Sequence, residues 1–321
     1  MRAYLDFEKP VAELEAKVEE LRTVGQRDGG IAIGDDLTRL EVKAAKALAD
    51  PYASLTPWQK TLVARHQDRP HFHDYIRELI EDFTPLAGDR KFAEDEAIVG
   101  GFGRLGGRPI CLIGQEKGSD TDGRLRHNFG MARPEGYRKA TRLMELADRF
   151  NLPVVSLVDT AGAFPGIDAE ERGQAEAIAR STDACLGLGT ANVAVIVGEG
   201  GSGGAVAIAT CNRVLMLEHS IYTVASPEAS ASILWRDSKR REDAAVAMKI
   251  TAQDLLKFGI IDQIISEPVG GAHRAPLEAI RATGRAISAA IAEFDGRSAD
   301  EVRAARADKF LAMGRKIWHT L

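Results

Sequence analysis

Between Val193 and Glu218 the chain reads VAVIVGEGGSGGAVAIATCNRVLMLE, and its glycine turn fits three different chemistries. Gly198, Gly200 and Gly203 spell G-x-G-x-x-G behind an apolar run, with the acid Glu218 twenty residues on, as in a dinucleotide-binding turn. Gly200, Ser202 and Gly204 spell G-x-S-x-G, the nucleophile elbow of a serine hydrolase. In the third reading no side chain reacts. The glycines bare backbone N–H groups at a helix start, where they can hold an anion.

The dinucleotide reading requires a full crossover helix after the glycines, and only Ala205 to about Thr210 lies before the next strand, NRVLMLE. The hydrolase reading requires a histidine and then an acid brought to Ser202. His219 stands only seventeen residues on, and His273 lies in a glycine-proline stretch. The cradle reading gains from a second segment, VVSLVDTAGAFPGIDAEERGQ, another buried strand that ends in a small-residue turn before Phe164-Pro165-Gly166. Two neighbouring parallel strands ending in such turns can aim two N–H groups at one point. That is an oxyanion hole, worth about 3 kcal/mol per donor in a dry site. Taken alone, either segment reads better as a mere tight turn.

The elements that must hold these turns follow from periodicity. From about Ala87 onward, short apolar strands (RPICLIG, LPVVSLVDTAG, ANVAVIVGEGG, NRVLMLE) alternate with helices, which predicts an α/β body with parallel strands. Pro134 opens one helix, with Ala140, Leu143, Met144, Ala147 and Phe150 on one face. Asp168 and Glu171 have the spacing of a capping box for the next, and Ser226-Pro227 starts another. Thr251 and Asp254 cap a short helix closed by Gly259, ahead of the strand-like IIDQII. Residues 1–86 differ. Val11, Leu14, Val18 and Leu21 recur at helical spacing among charges, and 35–49 and 57–65 also read as helices. This predicts an N-terminal helical arm over 1–86 and a main domain over 87–321, which ends in two amphipathic helices from Pro276.

Composition narrows the function. The 321 residues carry a net charge of −5, which does not favour general nucleic-acid binding. No apolar run approaches a membrane span, and the start MRAYLDFEKP has no secretory h-region, so a cytoplasmic protein is expected. The three cysteines, Cys111, Cys185 and Cys211, form no C-x-x-C pair and predict buried thiols rather than a zinc site. His66, His71 and His73 lack acids or cysteines at ligand spacing, so no metal is expected in this chain.

The motifs AIVGGFGRLGGRP, RHNFGMARPEGYRKATRLMELADRF, DTAGAFPGIDAEERGQAEAIAR, VGEGGSGGAVAI and SPEASASILW closely resemble the carboxyltransferase alpha subunit of multi-subunit bacterial acetyl-CoA carboxylase. So do LDFEKPVAELEAKVEEL and IIDQIISEPVGGAHR, and the resemblance runs almost end to end. Where the family reads D-T-P-G-A-Y-P-G this chain has DTAGAFPG, which loosens a turn without removing an N–H. STDACLGLGT also departs from the pattern and has no functional reading.

The resemblance implies a crotonase-like fold, a spiral of ββα units. It also implies transfer of a carboxyl group from carboxybiotin, on its biotin carboxyl carrier protein, to acetyl-CoA, giving malonyl-CoA for fatty acid synthesis. A beta subunit with the zinc ribbon would complete an α2β2 heterotetramer, and biotin would be brought in by the carrier rather than attached here. Such chemistry asks for positioning and for an anion cradle on each side of the transfer, with no acid–base dyad. On this resemblance Gly203 and Gly204 supply one set of backbone donors, Gly162 and Ala163 the other, and Gly200, Gly201 and Phe164 line the substrate site. Arg172 would grip the transferred carboxylate, with Arg133, Arg138 and Lys139 along the approach. The basic cluster WRDSKRRED could meet carrier or coenzyme phosphates, though its acids suit an ordinary exposed helix equally well.

Two other functions compete. A self-sufficient crotonase-type acyl-CoA hydratase or hydrolase would use paired carboxylates, for which Asp159, Glu199 and Glu228 are the candidates. A non-catalytic assembly protein would account for the helical arm but would have no use for paired glycine turns.

Overall fold

The computed structural model describes residues 3–27 and 34–315. In chain order the helices and strands are α1 (Lys9–Arg27), α2 (Gly34–Tyr52), α3 (Pro57–Ala64), α4 (Phe72–Leu79), β1 (Ile80–Pro85), β2 (Ile98–Leu105), β3 (Arg108–Gln115), α5 (Thr121–Arg126) and α6 (Pro134–Arg149). There follow β4 (Val154–Thr160), α7 (Ile167–Glu171), α8 (Gln174–Gly187), β5 (Asn192–Gly201), α9 (Ser202–Ala209), β6 (Arg213–Leu217) and β7 (Ile221–Thr223). The rest are α10 (Pro227–Trp235), α11 (Arg241–Met248), α12 (Ala252–Lys257), β8 (Gln263–Ile265), α13 (Pro276–Ala292) and α14 (Ala299–Ala312).

One sheet orders these strands β1-β2-β3-β4-β5-β6-β8, antiparallel at the β1–β3 end and parallel from β3 onward. The central strands β4 and β5 are buried along their whole length because both faces are covered. Cys111, Ile113, Val154, Ala194, Ile196, Val214 and Met216 face the core shared with Ala140, Leu143 and Met144 of α6 and Ala205 and Ile208 of α9. Ile110, Leu112, Val155, Leu157, Val193, Val195 and Leu215 face the opposite core, with Phe72 and Tyr75 of α4 and Ile280 and Ile287 of α13.

Three expectations need correction. The segment read as a purely helical arm ends in a strand, because Ile80–Pro85 pairs with β2. Asp168 and Glu171 do not cap a long helix. They lie inside the short α7, and Gly173 at φ 82° breaks the chain before α8 opens at Gln174. Phe150 ends α6 exposed instead of on its buried face. Pro134, Ser226 and Thr251 start their helices as expected, and Thr251 Oγ1 accepts from Asp254 N at 3.3 Å.

Candidate active site

The two turns meet where β4 and β5 stop pairing regularly. Their register runs evenly from Val154–Asn192 to Val158–Ile196, then slips, so that Thr160 lies opposite Gly200. At the slip the Asp159 carboxylate takes over from the ladder: Glu199 N donates to its Oδ1 at 2.9 Å. Gly198 has no side chain because a Cβ there would lie 2.4 Å from that same oxygen. Val197 O, left over on the other side, accepts from the Arg69 guanidinium at 2.8 Å. The last three residues of β5 then pair with β7.

Each neighbouring glycine has its own steric reason. A Cβ on Gly200 would meet the Tyr222 ring at 2.9 Å, and one on Gly201 would overlap Ala161 O at 2.1 Å. One on Gly204 would fall 2.8 Å from Gly162 C and 3.0 Å from Ala163 N. Gly200 and Gly201, expected to line the substrate site, therefore serve packing. Gly203 differs, since its Cβ would meet only the Ile178 side chain at 3.5 Å, and a Cβ on Gly162 would meet nothing within 4 Å. The two turns touch along Gly201 and Gly204, while Gly203 faces the Ile178 side chain at ordinary contact distance and open space lies beside Gly162.

The donors follow from this geometry. The first N–H groups of a helix have no intrahelical partner, and the N-cap of α9 is Gly201, which brings no side chain to cap them. Ala163 N bonds to nothing among the described residues. Gly162 N is already held by Thr160 Oγ1 at 3.1 Å, so it is not a free donor, which corrects the expectation for that residue. Ser202 is exposed at φ 47°, a left-handed conformation costly for a residue with a side chain. Among the described residues no histidine bonds to it, and they form no triad with the elbow motif.

The arginines are engaged. Arg172 Nε donates to Glu135 Oε1 at 2.8 Å, and its Nη2 lies 3.3 Å from Asp168. Arg138 bonds Asp89 at 2.7 Å, Glu135 at 2.9 Å and Arg172 O at 3.1 Å. Lys139 is buried against Glu94 and Asp95 O. Gly136 leaves room for the Asp95 carboxylate, which accepts from Arg133 N at 2.7 Å. The long RPEGYRKA motif is thus a packing device. Arg133 alone of this group remains at the rim, its guanidinium 4.6 Å above the Phe164 ring and 3.7 Å from Asp168. In the WRDSKRRED stretch Arg240 stacks on Trp235 at 4.3 Å and pairs with Asp243 at 3.0 Å, an ordinary exposed cluster.

The carboxylates considered for acid–base work form one compensated chain. Lys117 Nζ lies 2.6 Å from Asp159 and 3.7 Å from Glu199, and Arg65 bridges Glu199 and Glu228 at 2.7 Å each. Burial alone would raise the Glu228 carboxyl, but the Arg65 hydrogen bond and charge outweigh it and hold it below its usual value. Arg65, Lys117, Asp159 and Glu199 line a cleft of about 270 Å³ together with Ala161, Arg124 and Phe129. Lys117 and Arg65 carried no signal in the sequence, because each is a single cation whose partners lie 42 to 163 residues away. Among the described residues no group of three or more His, Cys, Asp or Glu is placed to hold a metal ion, and no helix is long and apolar enough to cross a membrane.

A bulged parallel sheet presenting two abutting backbone turns is a crotonase-like fold. The fold is shared with the transcarboxylase 12S hexamer solved with methylmalonyl-coenzyme A (TM-score 0.59, 17% identity, 72% of this chain and 42% of that one). It is shared too with a Pseudomonas malonate decarboxylase hetero-tetramer in complex with coenzyme A (TM-score 0.55, 17% identity, 67% of this chain and 87% of that one). The chain belongs to the acetyl co-enzyme A carboxylase carboxyltransferase-like family, whose model matches residues 4–314. It is 70% identical over 317 residues to the acetyl-coenzyme A carboxylase carboxyl transferase subunit alpha of Methylobacterium nodulans, covering 99% of this chain and 100% of that one. The Beijerinckia indica subunit alpha is 69% identical over the same spans.

Proposed function

We propose that this chain, as a carboxyltransferase alpha subunit, works with a zinc-ribbon beta subunit in a cytoplasmic α2β2 assembly. Its reaction moves the carboxyl group from carboxybiotin, carried by the biotin carboxyl carrier protein, to acetyl-CoA, and malonyl-CoA is the product. The observation that carries this reading is that Ala163 N lies against Gly204 at the uncapped N-terminus of α9, with open space beside Gly162. Bound carboxybiotin supplies the activated carboxyl group.

The donor set suits its ureido oxygen, which is neutral at the start and gains charge as transfer proceeds. Neutral, prefixed N–H groups stabilise that growing charge without binding the ground state as a full cation would. Gly203 and Gly204 N–H act from one side and Ala163 N–H from the other, while Phe164 and Arg133 form the rim that meets the carboxylate. Arg172 and Arg138, tied to Glu135, keep that rim in place. Asp159, Glu199 and Glu228 are each ion-paired with Lys117 or Arg65, which argues against a hydratase built on free carboxylates.

The experiment is reconstitution. Purified chain alone should form no malonyl-CoA from carboxylated carrier and acetyl-CoA, and should gain that activity with the beta subunit. Malonyl-CoA formation by the isolated chain, or hydration of crotonyl-CoA by it, would overturn this division of labour.

A further inference from the structure

The Thr160–Gly200 pairing and the Asp159–Glu199 bond join the strands where the turns begin, and the sequence provides a further tie from outside both turns. Gln115 ends β3 and is 2% exposed. The β3–β4 ladder stops at Gly114–Leu157, so Asp159 N, two residues on, has no strand partner on that side. Gln115 Oε1 accepts from Asp159 N at 3.1 Å, and Gln115 Nε2 donates to Gly204 O at 2.9 Å. One backbone donor and one backbone acceptor fix the orientation of the amide, since only the oxygen can accept and only the nitrogen can donate.

We propose that Gln115 is a positioning residue for carboxyl transfer: its carboxamide reaches from β3 to both cradle turns and holds their N–H groups at a fixed separation. The proposal rests on the reading of Ala163 and the α9 N-terminus as the cradle. Asp159 immediately precedes Thr160, whose hydroxyl holds Gly162 N, and Gly204 is the residue whose Cα abuts Gly162 and Ala163. A shift at either end of the Gln115 fork therefore moves the donors apart. Gln115 touches no substrate. Its effect falls on the transition state, where misplacement by about 1 Å costs up to about 10²-fold in rate.

The test uses the αβ complex and carboxyl transfer from malonyl-CoA to free biotin, with Gln115→Met, Gln115→Glu and Gly204→Val. Gln115→Met keeps the length and loses both hydrogen bonds. Its kcat should fall by about 10- to 100-fold while the KM for malonyl-CoA stays within about twofold. Gln115→Glu adds a readout that a purely structural role would not move. Ionised, it cannot donate to Gly204 O; protonated, it donates O–H there and still accepts Asp159 N–H, as glutamine does. Its deficit relative to the parent, measured per assembled complex, should therefore shrink as pH falls. Parental kcat in Gln115→Met, or a Gln115→Glu deficit equal at every pH, overturns the proposal. Gly204→Val separates the two levels of argument. If it transfers like the parent, the cradle reading falls and this proposal with it; if it is inactive while Gln115→Met is not, only the role of Gln115 is refuted.

Discussion

Gly203 and Gly204 are adjacent and chemically identical, yet the structure asks different things of them. A methyl group at Gly204 would be forced into the Gly162–Ala163 backbone, whereas one at Gly203 would rest at ordinary contact distance from Ile178. Gly204→Ala should therefore pry the turns apart and lower kcat by about 10²-fold, while Gly203→Ala should fold and transfer close to the parent. A larger side chain at 203, as in Gly203→Val, should leave the fold intact and block transfer by crowding the cradle. Ser202→Ala should cost little, because the exposed hydroxyl makes no hydrogen bond among the described residues. Assaying the four variants in the αβ complex, with assembly checked by co-purification, decides the matter. Loss of transfer in Ser202→Ala alone would return the serine to the mechanism.

At the scale of elements, the sequence disclosed what is periodic and hid what is long-range. The parallel strands, the Pro134, Ser226 and Thr251 helix starts and the short α9 follow from apolar runs, prolines and caps that act over a few residues. The register slip of β4 against β5 could not be seen, since it depends on Asp159 bonding Glu199 N across the sheet. Nor could the purpose of the five clustered glycines, four of which answer to atoms of Asp159, Ala161, Gly162 and Tyr222. The STDACLGLGT stretch is held by α14. Arg306, fully buried, donates to Leu186 O, Leu188 O and Thr190 O and to the side chains of Asn192 and Asn212, so it caps the end of α8 from another helix. Burial lowers the Arg306 pKa, and no carboxylate pairs with it among the described residues. Arg306→Met should leave those carbonyls unsatisfied and cost about 3 kcal/mol of stability. Urea unfolding should show a lower midpoint at an unchanged slope, with kcat of the surviving complex retained. A midpoint shift worth less than about 0.5 kcal/mol would mean that α14 is held by something else.

The N-terminal helices meet the body at several places, and one of them, the loop at His273 and Arg274, makes stability depend on pH. Arg274 pairs with Glu8 at 3.2 Å and Glu15 at 2.8 Å, and beside it His273 stacks on His66 at 3.9 Å. Burial, followed by the charges of His66, Arg69 and Arg274, pushes His273 down to about 3, with Glu267 opposing weakly. Unfolded, the same ring takes a proton near 6.5. Between those values the unfolded chain binds more protons, so stability must fall as pH drops from 6.5 toward 3. His66 and His219, both also lowered chiefly by burial, act in the same direction. Glu267 adds a separate loss at lower pH. Burial alone would raise it, but Arg69 outweighs burial and holds it at about 2, so its contribution is complete above 4.5 and disappears below. Among the described residues neither ring nitrogen of His273 has a hydrogen-bond partner, so His273→Phe removes the titration while keeping a ring against His66. Parent and variant should show similar urea midpoints at pH about 7.5, and at pH about 5 the variant should be more stable by about 2 kcal/mol. Midpoints that run parallel between those two pH values would show that the buried ring is not what weakens the fold in acid.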